Sequence, residues 1–122
     1  GCGKFGLQRL IVLIEKTNFS PVACVDLDVV NAKKNLGEID SAKKINLHKN
    51  VYSNIDKALK KHNASACFIF VAADQHSKLV IQSLENNMHT YCVKPIAMDK
   101  FPCPVPAFPA PAPFPIATAF VP

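Results

Sequence analysis

The chain opens Gly1-Cys2-Gly3-Lys4-Phe5-Gly6, and about 20 residues later the apolar run Val22-Ala23-Cys24-Val25 ends in a carboxylate, Asp26. Between them, Leu7, Leu10, Ile11 and Ile14 fall at helical spacing, which predicts a helix over 6–17. Glycines with this spacing suit a nucleotide's pyrophosphate. Gly1 permits the tight turn, Gly3 lets bare backbone approach the phosphates, and Gly6 lets the helix pack close to its strand. Free amides of the first helical turn, near Lys4 and Phe5, then face the anion with the helix dipole assisting. Asp26 stands where the ribose hydroxyls of an adenosine want an acceptor, and its charge would repel a 2′-phosphate. The expectation is a dinucleotide site that takes NAD in preference to NADP. A glycine string alone is weak evidence, and the helix, strand and carboxylate at the right distances are what strengthen it.

Such a loop ordinarily follows a hydrophobic strand, usually the central one of its sheet, and nothing stands ahead of Gly1. This predicts a sheet with a gap where that strand belongs, in a chain that is a fragment of a longer protein. The remaining pattern alternates helix and strand. Asp28 can cap a helix that Gly37 ends, a brief strand fits Asn50 to Tyr52, and Ser53 with Asp56 resembles a capping box opening a helix to about His62 and Asn63. Ala66 to Ala72 is continuously apolar, as suits a strand buried on both faces of a parallel sheet. A helix over 74–87 follows, with Leu79, Val80 and Leu84 inward and Asn86-Asn87 supplying a left-handed residue at its end, and then a strand from His89 to Cys92. The fold class is α/β, a Rossmann-like parallel sheet with flanking helices.

Proline divides the chain. Only Pro21 and Pro95 precede Lys100, whereas proline recurs at nearly every second position from Pro102 to Pro115, with no charge and no glycine in that stretch. Missing amide donors and a fixed φ exclude helix interiors and central strands there. The expected organisation is a nucleotide-binding domain over 1–99 and an extended, disordered tail over 100–122.

The net charge of +5 comes from scattered lysine pairs without interleaved aromatics, so a solvated helix face explains it and no nucleic-acid partner is expected. Five cysteines without C-x-x-C spacing indicate neither a disulfide framework nor a metal site. No apolar stretch has the length of a bilayer span, and a signal-peptide order is missing. The expected setting is cytoplasmic, without membrane association.

The segment Phe68-Ile69-Phe70-Val71-Ala72-Ala73-Asp74-Gln75-His76, followed by His89-Thr90-Tyr91-Cys92-Val93-Lys94-Pro95-Ile96-Ala97, resembles the Gfo/Idh/MocA oxidoreductases, and the resemblance covers Gly1 to about Asp99. It implies an NAD(P)-dependent oxidoreductase acting on a sugar, polyol or related alcohol, with possible homo-oligomerisation of the full-length parent. Lys94 matches the family's motif lysine, beside substrate and nicotinamide, and is the candidate catalytic residue. Its ammonium can hydrogen-bond the hydroxyl being oxidised and stabilise the charge that develops as the proton leaves. Pro95 matches the proline of the turn that presents it. Ala72 and Ala73 are small, as a cofactor-facing strand end requires. His76 matches the family histidine and is either a cofactor contact or a helix-capping or buried, hydrogen-bonded ring.

The sequence also departs from the family. Val93 stands where the family has glutamate, the loop from Ala73 to His76 is short and lacks the common proline, and the substrate domain has no counterpart. These departures imply a chain inactive on its own, and they keep a second reading open. That reading is a noncatalytic, degenerate Rossmann module whose proline-rich tail serves protein interaction.

Overall fold

The computed structural model describes residues 1–98; the predicted tail over 100–122 and the boundary at Asp99 lie outside the described residues. Helix α1 (Lys4–Lys16) starts two residues earlier than its apolar stripe predicts, with Gly3 as its N-cap residue in extended conformation. The following strand β1 is only Cys24–Val25. Helix α2 (Val29–Gly37) is capped by Asp28, whose side chain accepts from the Asn31 amide at 3.0 Å. Gly37 is the last helical residue but does not adopt positive φ, so the helix ends without a left-handed turn. A short helix α3 (Asp40–Lys44) and a 3-10 turn (Leu47–Lys49) lead into strand β2 (Val51–Tyr52).

Helix α4 (Ile55–Leu59) is shorter than the capping-box pattern predicts, and its cap is Asn54, which accepts from the Lys57 amide at 2.9 Å. Ser53 instead accepts from the Lys57 ammonium. Asparagine caps as well as serine does, so two adjacent candidates compete and the register moves by one. Strand β3 (Ala66–Ile69) is followed by a 3-10 turn (Ala73–Gln75) and helix α5 (His76–Glu85). That helix ends as expected: Asn87 is left-handed with φ 57°, its amide bonds the Leu84 carbonyl, and the Met88 amide reaches the Ser83 carbonyl. These paired bonds are a Schellman arrangement that satisfies the last carbonyls. Strand β4 (His89–Cys92) coincides with its predicted bounds.

The strands pair in parallel as β1 with β2 and β3 with β4, giving two two-stranded sheets among the described residues. Side chains alternate between two cores. Cys24, Val51, Phe68 and Phe70 pack with Leu10, Leu13, Ala32, Leu36 and Ala42 of α1 to α3. On the opposite face, Val25, Cys67 and Ile69 pack with Ile55 of α4 and with Leu79 and Val80 of α5. Helices thus cover both faces of parallel strands, and the chain is a partial Rossmann-like α/β fold. The most buried residues of α5 are His76 and Ser83, not its leucines. Ser83 bonds Thr90 through their hydroxyls and fastens the helix to β4.

Candidate functional site

The glycine loop sits at the mouth of a cavity of about 640 Å³, within the range of small-molecule sites. Gly1, Gly3, Lys4, Phe5, Gly6 and Asp26 line it, and Ala72 lines it at the exit of β3. Each glycine has a distinct role. A Cβ on Gly1 would overlap the Phe70 carbonyl oxygen, and one on Gly6 would overlap the Gly1 carbonyl oxygen, so these two let loop, helix and strand approach closely. A Cβ on Gly3 would meet nothing within 4 Å, because this residue faces open space. That is the position through which a phosphate would come up to bare backbone at the start of α1.

Asp26 does more than its sequence position suggests. Its Oδ2 accepts from the Cys2 amide at 2.6 Å and its Oδ1 from the Asp28 amide at 2.9 Å. One carboxylate therefore holds the glycine loop against the end of β1 and orders its own turn. An ionised carboxylate has about four acceptor positions, so capacity for ribose hydroxyls remains. Directly beneath, the Cys2 and Cys24 thiols interact: hydrogen bonding to Cys24 holds the Cys2 thiol below its usual range, and the same bond together with burial pushes Cys24 well above it. Burial also pushes Cys67, on the opposite face of the sheets, up to about 12. Phe5 stands edge-on to Phe70 with ring centroids 5.7 Å apart, and the Arg9 guanidinium lies 4.8 Å over its ring.

Ala73, His76, Lys94 and Pro95 lie outside the cavity lining, although their neighbours Ala72, Gln75 and Val93 belong to it. Lys94 and Pro95 are exposed and joined by a cis peptide bond. His76 is buried at 2% exposure, with Nδ1 2.5 Å from the Pro95 carbonyl and Nε2 3.0 Å from the Val71 carbonyl. The ring at the start of α5 is thus buried between two backbone carbonyls. Gln75, Lys78 and Gln82 of the α5 segment also reach the cavity, and their helical spacing is the signal that would have found them. Leu27, 92% exposed beside Asp26, and Ser53 line its other end.

Among the described residues no group of three or more His, Cys, Asp or Glu side chains could hold a metal ion, and no helix is long and apolar enough to cross a membrane. The model of the Gfo/Idh/MocA family, described as an oxidoreductase family with an NAD-binding Rossmann fold, matches residues 1–101. Comparison with curated proteins and with solved structures gives no match.

Proposed function

Because this chain belongs to the Gfo/Idh/MocA oxidoreductase family and carries its NAD-binding Rossmann domain, we propose that the cavity at Gly1 to Gly6 binds NAD in preference to NADP, for oxidation of a sugar, polyol or related alcohol. The residues present fit the group. Gly3 faces open space at the N-terminus of α1, Gly1 and Gly6 have no room for a side chain, and Asp26 offers unused acceptor positions at the end of β1. Bound there, the nicotinamide would supply a hydride acceptor.

The chain's own residues bind and orient. The first amides of α1 would donate to the pyrophosphate, and Lys4 would add charge at the same mouth. Asp26 would accept from the adenosine ribose, and a 2′-phosphate would meet its negative charge. The other half of a dinucleotide then runs toward the exits of β3 and β4, where Val71, Ala72 and Val93 line the cavity. Lys94, one residue beyond Val93, is the group we assign to the substrate hydroxyl, to whose oxygen its ammonium would donate a hydrogen bond. Val93 supplies no charge to tune it, in contrast to the glutamate of the family pattern.

The observation that carries the cofactor reading is the Asp26 carboxylate tied to the glycine loop through Cys2. Calorimetric titration of the full chain with NADH and with NADPH tests it. Saturable binding that is tighter for NADH is expected. A demonstrably folded sample showing no saturation at millimolar NADH would remove the reading.

A further inference from the structure

The ring of His76 joins two separate corners of the chain. Val71 leads out of β3 and lines the cavity, whereas Pro95 belongs to the turn after β4, next to the cavity-lining Val93. Their carbonyl oxygens flank one imidazole, at 3.0 Å from Nε2 and 2.5 Å from Nδ1. Strand pairing between β3 and β4 stops at Ile69 and Cys92, so no ladder bond reaches these corners. A carbonyl oxygen only accepts, so a ring nitrogen that carries a proton donates to the carbonyl it faces, and the ring packs between the two corners. At 2% exposure, water does not substitute for either partner.

We propose that His76 is a positioning residue that fixes the exit of β3 and the Lys94–Pro95 turn relative to each other, and so shapes the end of the cavity that would receive the nicotinamide half of the cofactor. This rests on the cofactor reading above. His76 touches neither cofactor nor substrate; it acts through the Val71 and Pro95 carbonyls. Asp26 bonds the Cys2 and Asp28 amides and Gly3 faces open space at the start of α1, so the groups assigned to the adenosine half and the pyrophosphate carry no bond to the ring, although Gly1 itself packs beside Phe70 and Val71.

This separation makes the proposal separable from a general structural role. In the full chain, His76→Phe keeps a ring of similar size and removes both ring nitrogens. NADH and ADP-ribose, which lacks only the nicotinamide, are titrated into wild type and variant. The expected result is NADH affinity lowered about tenfold with ADP-ribose affinity unchanged. Equal losses for both ligands, or no loss for either, would overturn the proposal. Failure of wild type to bind either ligand would instead remove the cofactor reading on which it rests. A second measurement stands even if the variant does not fold: proton-nitrogen correlation of the wild-type His76 ring should show a hydrogen-bonded ring proton protected from exchange with water, and freely exchanging ring protons overturn the tie.

Discussion

The Cys2 amide donates to Asp26 Oδ2 at 2.6 Å, across 24 residues of chain, so the carboxylate we assign to a ribose also anchors the loop we assign to the phosphates. Asp26→Ala should consequently impair two things. NADH affinity is expected to fall more than about tenfold, through loss of charge-assisted bonds. The apo chain should also lose stability, because the Cys2 and Asp28 amides lose their acceptor. Calorimetry and thermal unfolding check the two effects separately. Unchanged apo stability would show that the loop does not depend on this bond.

On the proposed reading, the same carboxylate sets the preference between cofactors without and with a 2′-phosphate. In Asp26→Ser the repulsion of a 2′-phosphate is gone, and the preference for NADH over NADPH should narrow, read from the ratio of the two dissociation constants. A ratio equal to that of wild type would take the discrimination away from Asp26.

The three glycines should respond differently to alanine. Gly6→Ala forces a methyl against the Gly1 carbonyl oxygen, and backbone must move. The expected cost is about 1–3 kcal/mol of stability together with loss of NADH binding. Gly3→Ala meets open space, so its stability should change by less than about 0.5 kcal/mol while the added methyl intrudes where the pyrophosphate approaches. Urea unfolding with NADH titration distinguishes the variants, and a Gly3→Ala chain that binds normally would contradict the phosphate placement.

How far these contacts were legible beforehand depends on the range of the interaction. Local chemistry is readable: Asp28 as a cap, a left-handed residue within Asn86-Asn87 ending α5, and the bounds of β4 all follow from residues within a few positions of one another. The strand expected through Ala72 stops at Ile69, because apolarity reports burial and not pairing, and pairing depends on where β4 ends. Among the described residues the strands pair separately, β1 with β2 and β3 with β4, an order that the alternation of helix and strand does not specify. Asp26 and the glycine loop were found by spacing, but their mutual bond was not, since spacing carries no information on which amide turns toward a carboxylate. His76 was recognisable as a residue of interest, yet its carbonyl partners are 5 and 19 positions away and leave no side-chain pattern.

Thiol burial predicts a pH effect with a definite sign. Cys67 is pushed from 9.0 to about 12 in the folded chain, so between those values the unfolded chain releases a proton that the folded chain keeps. The contribution of this thiol is constant below about pH 9 and should fall as pH rises from there toward 12. Cys67→Ala removes this contribution, and its urea midpoint should decline less steeply than that of wild type from about pH 9 to 11. Parallel declines would mean that the buried thiol titrates normally.

The central claim is that NAD occupies the glycine-loop cavity with its adenosine half at Asp26. Amide correlation spectra of the labelled full chain during NADH titration test it most directly. The account predicts saturating shifts at Gly3, Lys4, Phe5 and Asp26, with Lys33, Lys34 and Lys61 unmoved. Saturating shifts confined to other residues, or none at millimolar NADH in a folded chain, would contradict it.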